Sequence, residues 1–182
     1  MDILPVGGEG YETPSGISFD EDNCYLVVQL NPAIYGYEAR EVAYRGKTFK
    51  PKDELHITIL SSGAAELLKE HLKKKPEDRE LVLGYVNHAG WVYKKEDRYY
   101  HVVQEPGVET IIQMVCVQGA ESLYENLSEL FEEELPFPPT HVTLFMIGTE
   151  EGIGLPTQEV FDELVQGEVR AADIKVLEHK DS

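Results

Sequence analysis

Two short stretches hold the residues best suited to moving protons near neutral pH: His56-Ile57-Thr58-Ile59 and His141-Val142-Thr143-Leu144. An imidazole can both accept and donate a proton in this range. A threonine two residues further along a strand shares the face of that imidazole, and its hydroxyl can donate to a phosphate oxygen. One such pair alone reads as a strand histidine with a local hydrogen bond. Two pairs brought together place two imidazoles and two hydroxyls around a single cavity, which is a complete set for cleaving a phosphodiester. One neutral imidazole activates water or a ribose hydroxyl. The other, as imidazolium, protonates the leaving oxygen. Thr58 and Thr143 hold the non-bridging oxygens and offset the growing charge. This scheme calls for no metal and no cofactor.

The elements around the pairs are expected to position them. Residues 55–60 and 140–146 alternate in a period of two, with His56 and Thr58 on one face and Leu55, Ile57 and Ile59 on the other. His141 and Thr143 likewise share a face opposite Val142 and Leu144. A Gly-containing turn and an amphipathic helix follow each pair, at about 64–75 and 157–166. Another helix is expected at about 119–134, stopped by Pro136, Pro138 and Pro139. Residues 24–30, 81–86, 91–94, 99–104, 110–117 and 168–177 read as strands, with a shorter one near 40–45. The first 22 residues, rich in Gly, Pro, Asp and Glu, read as an irregular arm. Residues 23–182 then form one domain. The 85-residue separation of the two histidines is too long for a solenoid repeat and suits two related lobes.

The bulk composition narrows the partners. Thirty-four acidic and sixteen basic residues give a formal charge of −18. Affinity for long duplex nucleic acid rests on Lys and Arg contacts to phosphates, so that class is excluded. A small nucleotide or the end of a short strand stays open. No apolar run approaches the roughly 20 residues that span a bilayer, so no membrane is expected. The N-terminus lacks the basic and apolar regions of a secretory signal, and Cys24 and Cys116 sit in apolar strand-like runs. Both thiols are read as free and buried, in a cytoplasmic protein.

The two His-x-Thr pairs resemble the paired H-x-T-x motifs of the 2H phosphoesterases, which include RNA 2′,5′-ligase-like proteins and cyclic phosphodiesterases. The likeness runs over about residues 24–177 through motif order, spacing and following helices. It implies an α+β fold with two lobes, whose two antiparallel sheets form a central cleft flanked by helices. It implies catalysis by His56 and His141 and phosphate binding by Thr58 and Thr143. Members of that superfamily act on 2′,3′-cyclic phosphates, ADP-ribose cyclic phosphate, 2′,5′-linked oligonucleotides or RNA 3′ ends, including in RNA processing. The acidity of this chain favours a small cyclic phosphate or a short RNA end.

Several other residues are candidates for substrate contact. Arg40, Arg45, Lys47, Lys50 and Lys52 form a basic stretch before the first pair, either lining the cleft mouth or solvated. Tyr35, Tyr37 and Tyr44 could stack on a base or pack in the core. His101 shares a strand face with Tyr99. His71 and His88 read as surface residues. Two rival readings are a nucleotide- or RNA-end-binding module with little turnover, and an interaction domain in which His56 and His141 lie far apart. A monomer is expected, because the two lobes complete the site.

Overall fold

The computed structural model describes residues 3–178. His179 lies outside them. The chain runs β1 (Gly16–Phe19), β2 (Leu26–Leu30), α1 (Pro32–Tyr35), β3 (Val42–Tyr44), β4 (Lys47–Pro51), β5 (Leu55–Leu60), α2 (Ser62–Lys74) and α3 (Arg79–Asn87). It continues through β6 (Val92–Glu105), β7 (Val108–Gln118), α4 (Ala120–Phe131), β8 (His141–Ile147), α5 (Gln158–Leu164), β9 (Val165–Glu168) and β10 (Ile174–Val176). The fold is mixed α+β, built on a large antiparallel sheet.

The expected alternation is realised in both motif strands. Leu55, Ile57 and Ile59 are buried, as are Val142 and Leu144, while His56, Thr58, His141 and Thr143 are half-buried. Strand β8 sits at the centre of the sheet. One of its edges carries β7 from Met114↔His141 to Glu109↔Ile147. The other edge is shared end to end, with β5 at Val142 and β4 at Phe145 and Met146. The order β1-β2-β5-β8-β4-β3-β10 leads across this seam, and β7, β6 and β9 extend the sheet from the other edge of β8. The motif strands therefore stand next to each other within one continuous sheet.

The join between β5 and β8 is narrow. It consists of the single residue pair Ile57↔Val142, whereas β2 and β5 share five pairs. Both residues of the join are fully buried in the main core. Helices α2, α3 and α4 add Leu68, Leu72, Val82, Val86, Leu123 and Leu127 to that core. Burial of such side chains contributes roughly 1.5–3 kcal/mol each. A second, smaller cluster joins Val102, Ile112, Met114, Ile153 and Leu155, with Val160, Phe161 and Leu164 of α5 against it.

Five local expectations are corrected. Residues 168–177 are not one strand: β9 ends at Glu168, a short 3-10 turn follows at Ala171–Asp173, and β10 covers only Ile174–Val176. Residues 81–86 form most of helix α3 rather than a strand. The apolar run is continuous enough to suit either element, but Val82 and Val86, four apart, are the buried pair. Residues 91–94 and 99–104 belong to one long strand, β6, whose register shifts between Lys95 and Tyr99. The lead-in is bound down rather than loose. Strand β1 pairs with β2, Leu4 is buried, Glu12 bridges to Tyr93, and the carbonyl of Pro5 accepts from Gln113 Nε2 at 3.0 Å. Cys24 is buried as expected, but the free thiol of Cys116 lies on an exposed position of β7. Among the described residues, no helix is long and apolar enough to cross a membrane.

Candidate active site

The four motif residues converge because of one register. With Ile57 opposite Val142 in antiparallel strands, His56 stands beside Thr143 and Thr58 beside His141. All four point away from the buried face that carries Ile57 and Val142. Side chains directly opposite in such a pair have Cβ atoms about 5 Å apart, and diagonal neighbours such as His56 and His141 lie roughly 7–8 Å apart. The four residues line one cavity of about 380 Å³.

Its walls come from three places. The start of α2 supplies Ser61 to Ala64 and Leu67, the Pro136–Pro139 approach to β8 supplies a second wall, and the 151–157 loop supplies a third. Ser61 is the N-cap of α2, but its side chain makes no capping bond. The first-turn N–H groups of a 13-residue helix are thus left for an anion at the cavity. Ser62, also on the wall, has a left-handed φ of 47°, uncommon for a residue with a Cβ. In the 151–157 loop, Gly152 has φ 90°, and a Cβ there would sit 3.2 Å from Thr143 Oγ1. Glycine lets this loop close against the threonine. Tyr124 lines the cavity from α4 and is fixed by its hydroxyl, which donates to the carbonyl of Ile59 at 2.6 Å.

The imidazoles differ in their surroundings. Nδ1 of His141 lies 3.0 Å from the carbonyl of Pro139. A carbonyl only accepts, so Nδ1 carries the hydrogen and Nε2 is left with its lone pair. Burial lowers the pKa of His141 below its ordinary 6.5, the bond to Pro139 opposes this, and the charge of His56 lowers it further. His56 is also lowered, first by burial and then by the positive charge of Lys52, with Glu54 opposing. Each ring is held toward the neutral form. The proximity of the two makes protonation of one disfavour protonation of the other.

Lys52 is itself 8% exposed, and its Nζ donates to the carbonyl of Glu150 at 3.1 Å. Burial lowers its pKa, while Glu151, Glu54 and Asp53 oppose that. It stands behind the site and fastens the loop that forms the third wall.

The secondary candidates fall elsewhere. Tyr37 is buried, and its hydroxyl bridges the carbonyls of Lys52 (3.0 Å) and Leu144 (2.8 Å). It clips β4 to β8 and is not free to stack on a base. Tyr35 and Tyr44 are likewise in the core. His101 is buried edge-on to Tyr44 and Phe49, with Nε2 2.7 Å from Glu109 Oε1. Lys47 pairs with the other oxygen of Glu109. Burial raises the pKa of that carboxyl, but the bonds from Lys47 and His101 outweigh it and hold the value below normal. Arg45 and Gly46, both with positive φ, form the two-residue turn between β3 and β4, and the Arg45 guanidinium lies over the Tyr44 ring. Arg45, Lys47 and His101 thus gather around Tyr44 and Glu109, outside the cavity lining. Arg40 pairs with Glu38, and Lys50 lies on β4 away from that lining. His71 is half-buried rather than a surface residue, bonded to Asp78 at 2.7 Å.

The cavity also has members that sequence reasoning missed. Ile153, Leu155 and Glu151 belong to a loop with neither motif nor period, and no sequence signal pointed to it. Leu135 and Tyr124 carried a signal in their helical and Pro-rich context, but not their role as walls. No protein family, curated protein or solved structure matches the chain.

Proposed function

We propose that this chain is a phosphodiester hydrolase of the 2H phosphoesterase type. In this reading the parts of the sheet on either side of the β5–β8 join correspond to two lobes, and the substrate is a 2′,3′-cyclic phosphate or a related small nucleotide or RNA end. The observation that carries the reading is the Ile57↔Val142 register, which brings His56, Thr58, His141 and Thr143 to one cavity. The reaction asks for one base and one acid. A neutral imidazole takes a proton from water as the water oxygen bonds to phosphorus. The phosphorus–oxygen bond to the ribose breaks, and an imidazolium gives that oxygen its proton. The bond from His141 Nδ1 to Pro139 supports His141 as the base, since it presets Nε2 as an acceptor. His56 then supplies the acid, protonated as the anionic substrate arrives and favours the charged ring. Thr58, Thr143 and the uncapped start of α2 offset charge on the non-bridging oxygens.

The test is hydrolysis of nucleoside 2′,3′-cyclic monophosphates with EDTA present, by the natural chain and by His56→Ala and His141→Ala. Each variant is expected to lose about 10²–10⁴-fold in rate. Full activity in either variant overturns the mechanism. Binding of the cyclic nucleotide by the natural chain with no turnover over hours overturns the hydrolase reading and leaves a binding module.

A further inference from the structure

The cavity has an unusual charge inventory for a phosphate site. Among the described residues that line it there is no lysine or arginine, and Glu151 is the one carboxylate. The positive charge that reaches His56 comes from Lys52, buried behind the wall with its ammonium on the Glu150 carbonyl. Lys52 is already opposed by Glu151, Glu54 and Asp53, so the imidazolium formed at His56 is the cation left to face the reacting phosphate, and the lining offers none for a second anionic group. Apart from the two imidazoles, the remaining lining is hydroxyl or apolar, with Leu67, Leu135, Ile153 and Leu155 offering a surface for an uncharged ring. Beyond Tyr124 and Leu135 a shallow surface groove continues along α4, and it carries Glu121, Glu125, Glu129 and Glu134. A second phosphate on the same ligand would meet Glu151 at the cavity or this acidic face outside it.

We propose that the pocket selects phosphodiesters whose only negative charge is the reacting phosphate, and that Glu151 is a specificity-determining residue that rejects a further anionic group. This rests on the reading of the cavity as a phosphodiester site. It narrows the substrate class to a small, singly charged cyclic or terminal diester bearing an uncharged organic group. Polyphosphates, pyrophosphate-containing nucleotides and long strands are disfavoured. The 380 Å³ of the cavity fits that size class, at the small end of ordinary ligand pockets. Repulsion between Glu151 and an added phosphate is electrostatic, so it weakens with salt, whereas a steric exclusion would not.

The experiment compares a nucleoside 2′,3′-cyclic monophosphate with the same compound carrying a 5′-phosphate. Binding is measured by titration calorimetry on the full chain carrying His141→Ala, so that turnover does not consume the ligand. Glu151→Gln is added in that same background. Glu151 is exposed, and this change is expected to leave folding intact. The singly charged ligand is expected to bind about tenfold more tightly. In Glu151→Gln, or at about 0.5 M salt, the preference is expected to shrink to within about threefold. Equal binding of the two ligands, tighter binding of the 5′-phosphorylated one, a preference unmoved by Glu151→Gln, or no binding of either overturns the proposal. A preserved preference with no hydrolysis by the natural chain would instead overturn the hydrolase reading and leave the selectivity standing.

Discussion

The two His-x-Thr strands match in their own residues and differ in the segments that come after them. After β5, one residue separates the strand from α2, a 13-residue helix whose N-cap Ser61 makes no side-chain bond. After β8, ten residues intervene before α5, a seven-residue helix whose N-cap Thr157 accepts from the Val160 N–H at 3.2 Å. The histidines differ in the same sense. His141 is tethered to Pro139, while the pKa of His56 answers to burial and the charges of Lys52 and Glu54. The first half leaves free N–H groups and a ring able to gain a proton. The second half fixes its ring and devotes extra chain to a wall. A near-symmetric cleft would let the two histidines exchange roles with substrate orientation, and these differences argue against that exchange.

The largest effect that could break this comparison lies in the histidines. If they act as one acid–base unit, His56→Ala with His141→Ala should be about as slow as either single variant. Two independent losses that multiply would show that the rings do separate work. A smaller effect is expected at the threonines. Thr58→Val and Thr143→Val should each lower kcat/KM by about tenfold, the loss of one hydrogen bond to a charged group. A loss confined to one of them would show that the phosphate is held from a single half.

Stability separates the halves at two glycines. Gly152→Ala places a Cβ at φ 90° against Thr143 and should destabilise by about 1–2 kcal/mol in urea unfolding. Gly63, in the first turn of α2, faces open space, so Gly63→Ala should stabilise by about 0.5 kcal/mol. Equal effects of one sign would remove the distinction between a packed wall and an open helix start. The smallest effect is in pH. Both site histidines have folded pKa values below 6.5, so the unfolded chain binds more protons near that pH. Their contribution to stability is fully present above about pH 6.5 and is lost as pH falls through the folded values. His56→Ala and His141→Ala should each flatten that slope in unfolding measured from pH 7 to 5, and an unchanged slope would count against neutral resting rings.

The motif strands were legible because a period of two on a half-buried strand leaves a strong mark: Leu55, Ile57 and Ile59 against His56 and Thr58. The pairing partner was not, since no local pattern says that β5 meets β8 at Ile57↔Val142. Residues 81–86 misled because a continuous apolar run rich in valine and leucine suits a buried strand as well as a helix. His101 and Tyr37 show a different limit. Periodicity assigned His101 a face of its strand, but not that Tyr44, Phe49 and Glu109 would close over it. Tyr37 had no period at all, and its position comes from a bridge between two carbonyls far apart in sequence. The third wall, including Glu151, was invisible because loop position depends on tertiary contacts such as Lys52 to Glu150.

The join at Ile57 and Val142 acts as a caliper whose jaws lie on one face of the sheet and whose screw lies on the other. The gap between the two imidazoles is set by two buried aliphatic side chains that do not line the cavity. The spacing of the two rings is therefore inherited from core packing, and the walls are released from that duty. Gly152, Ile153 and Leu155 of the 151–157 loop are held by packing, but its exposed Glu151 can change, altering the wall of the cavity without detuning the pair of rings beneath it.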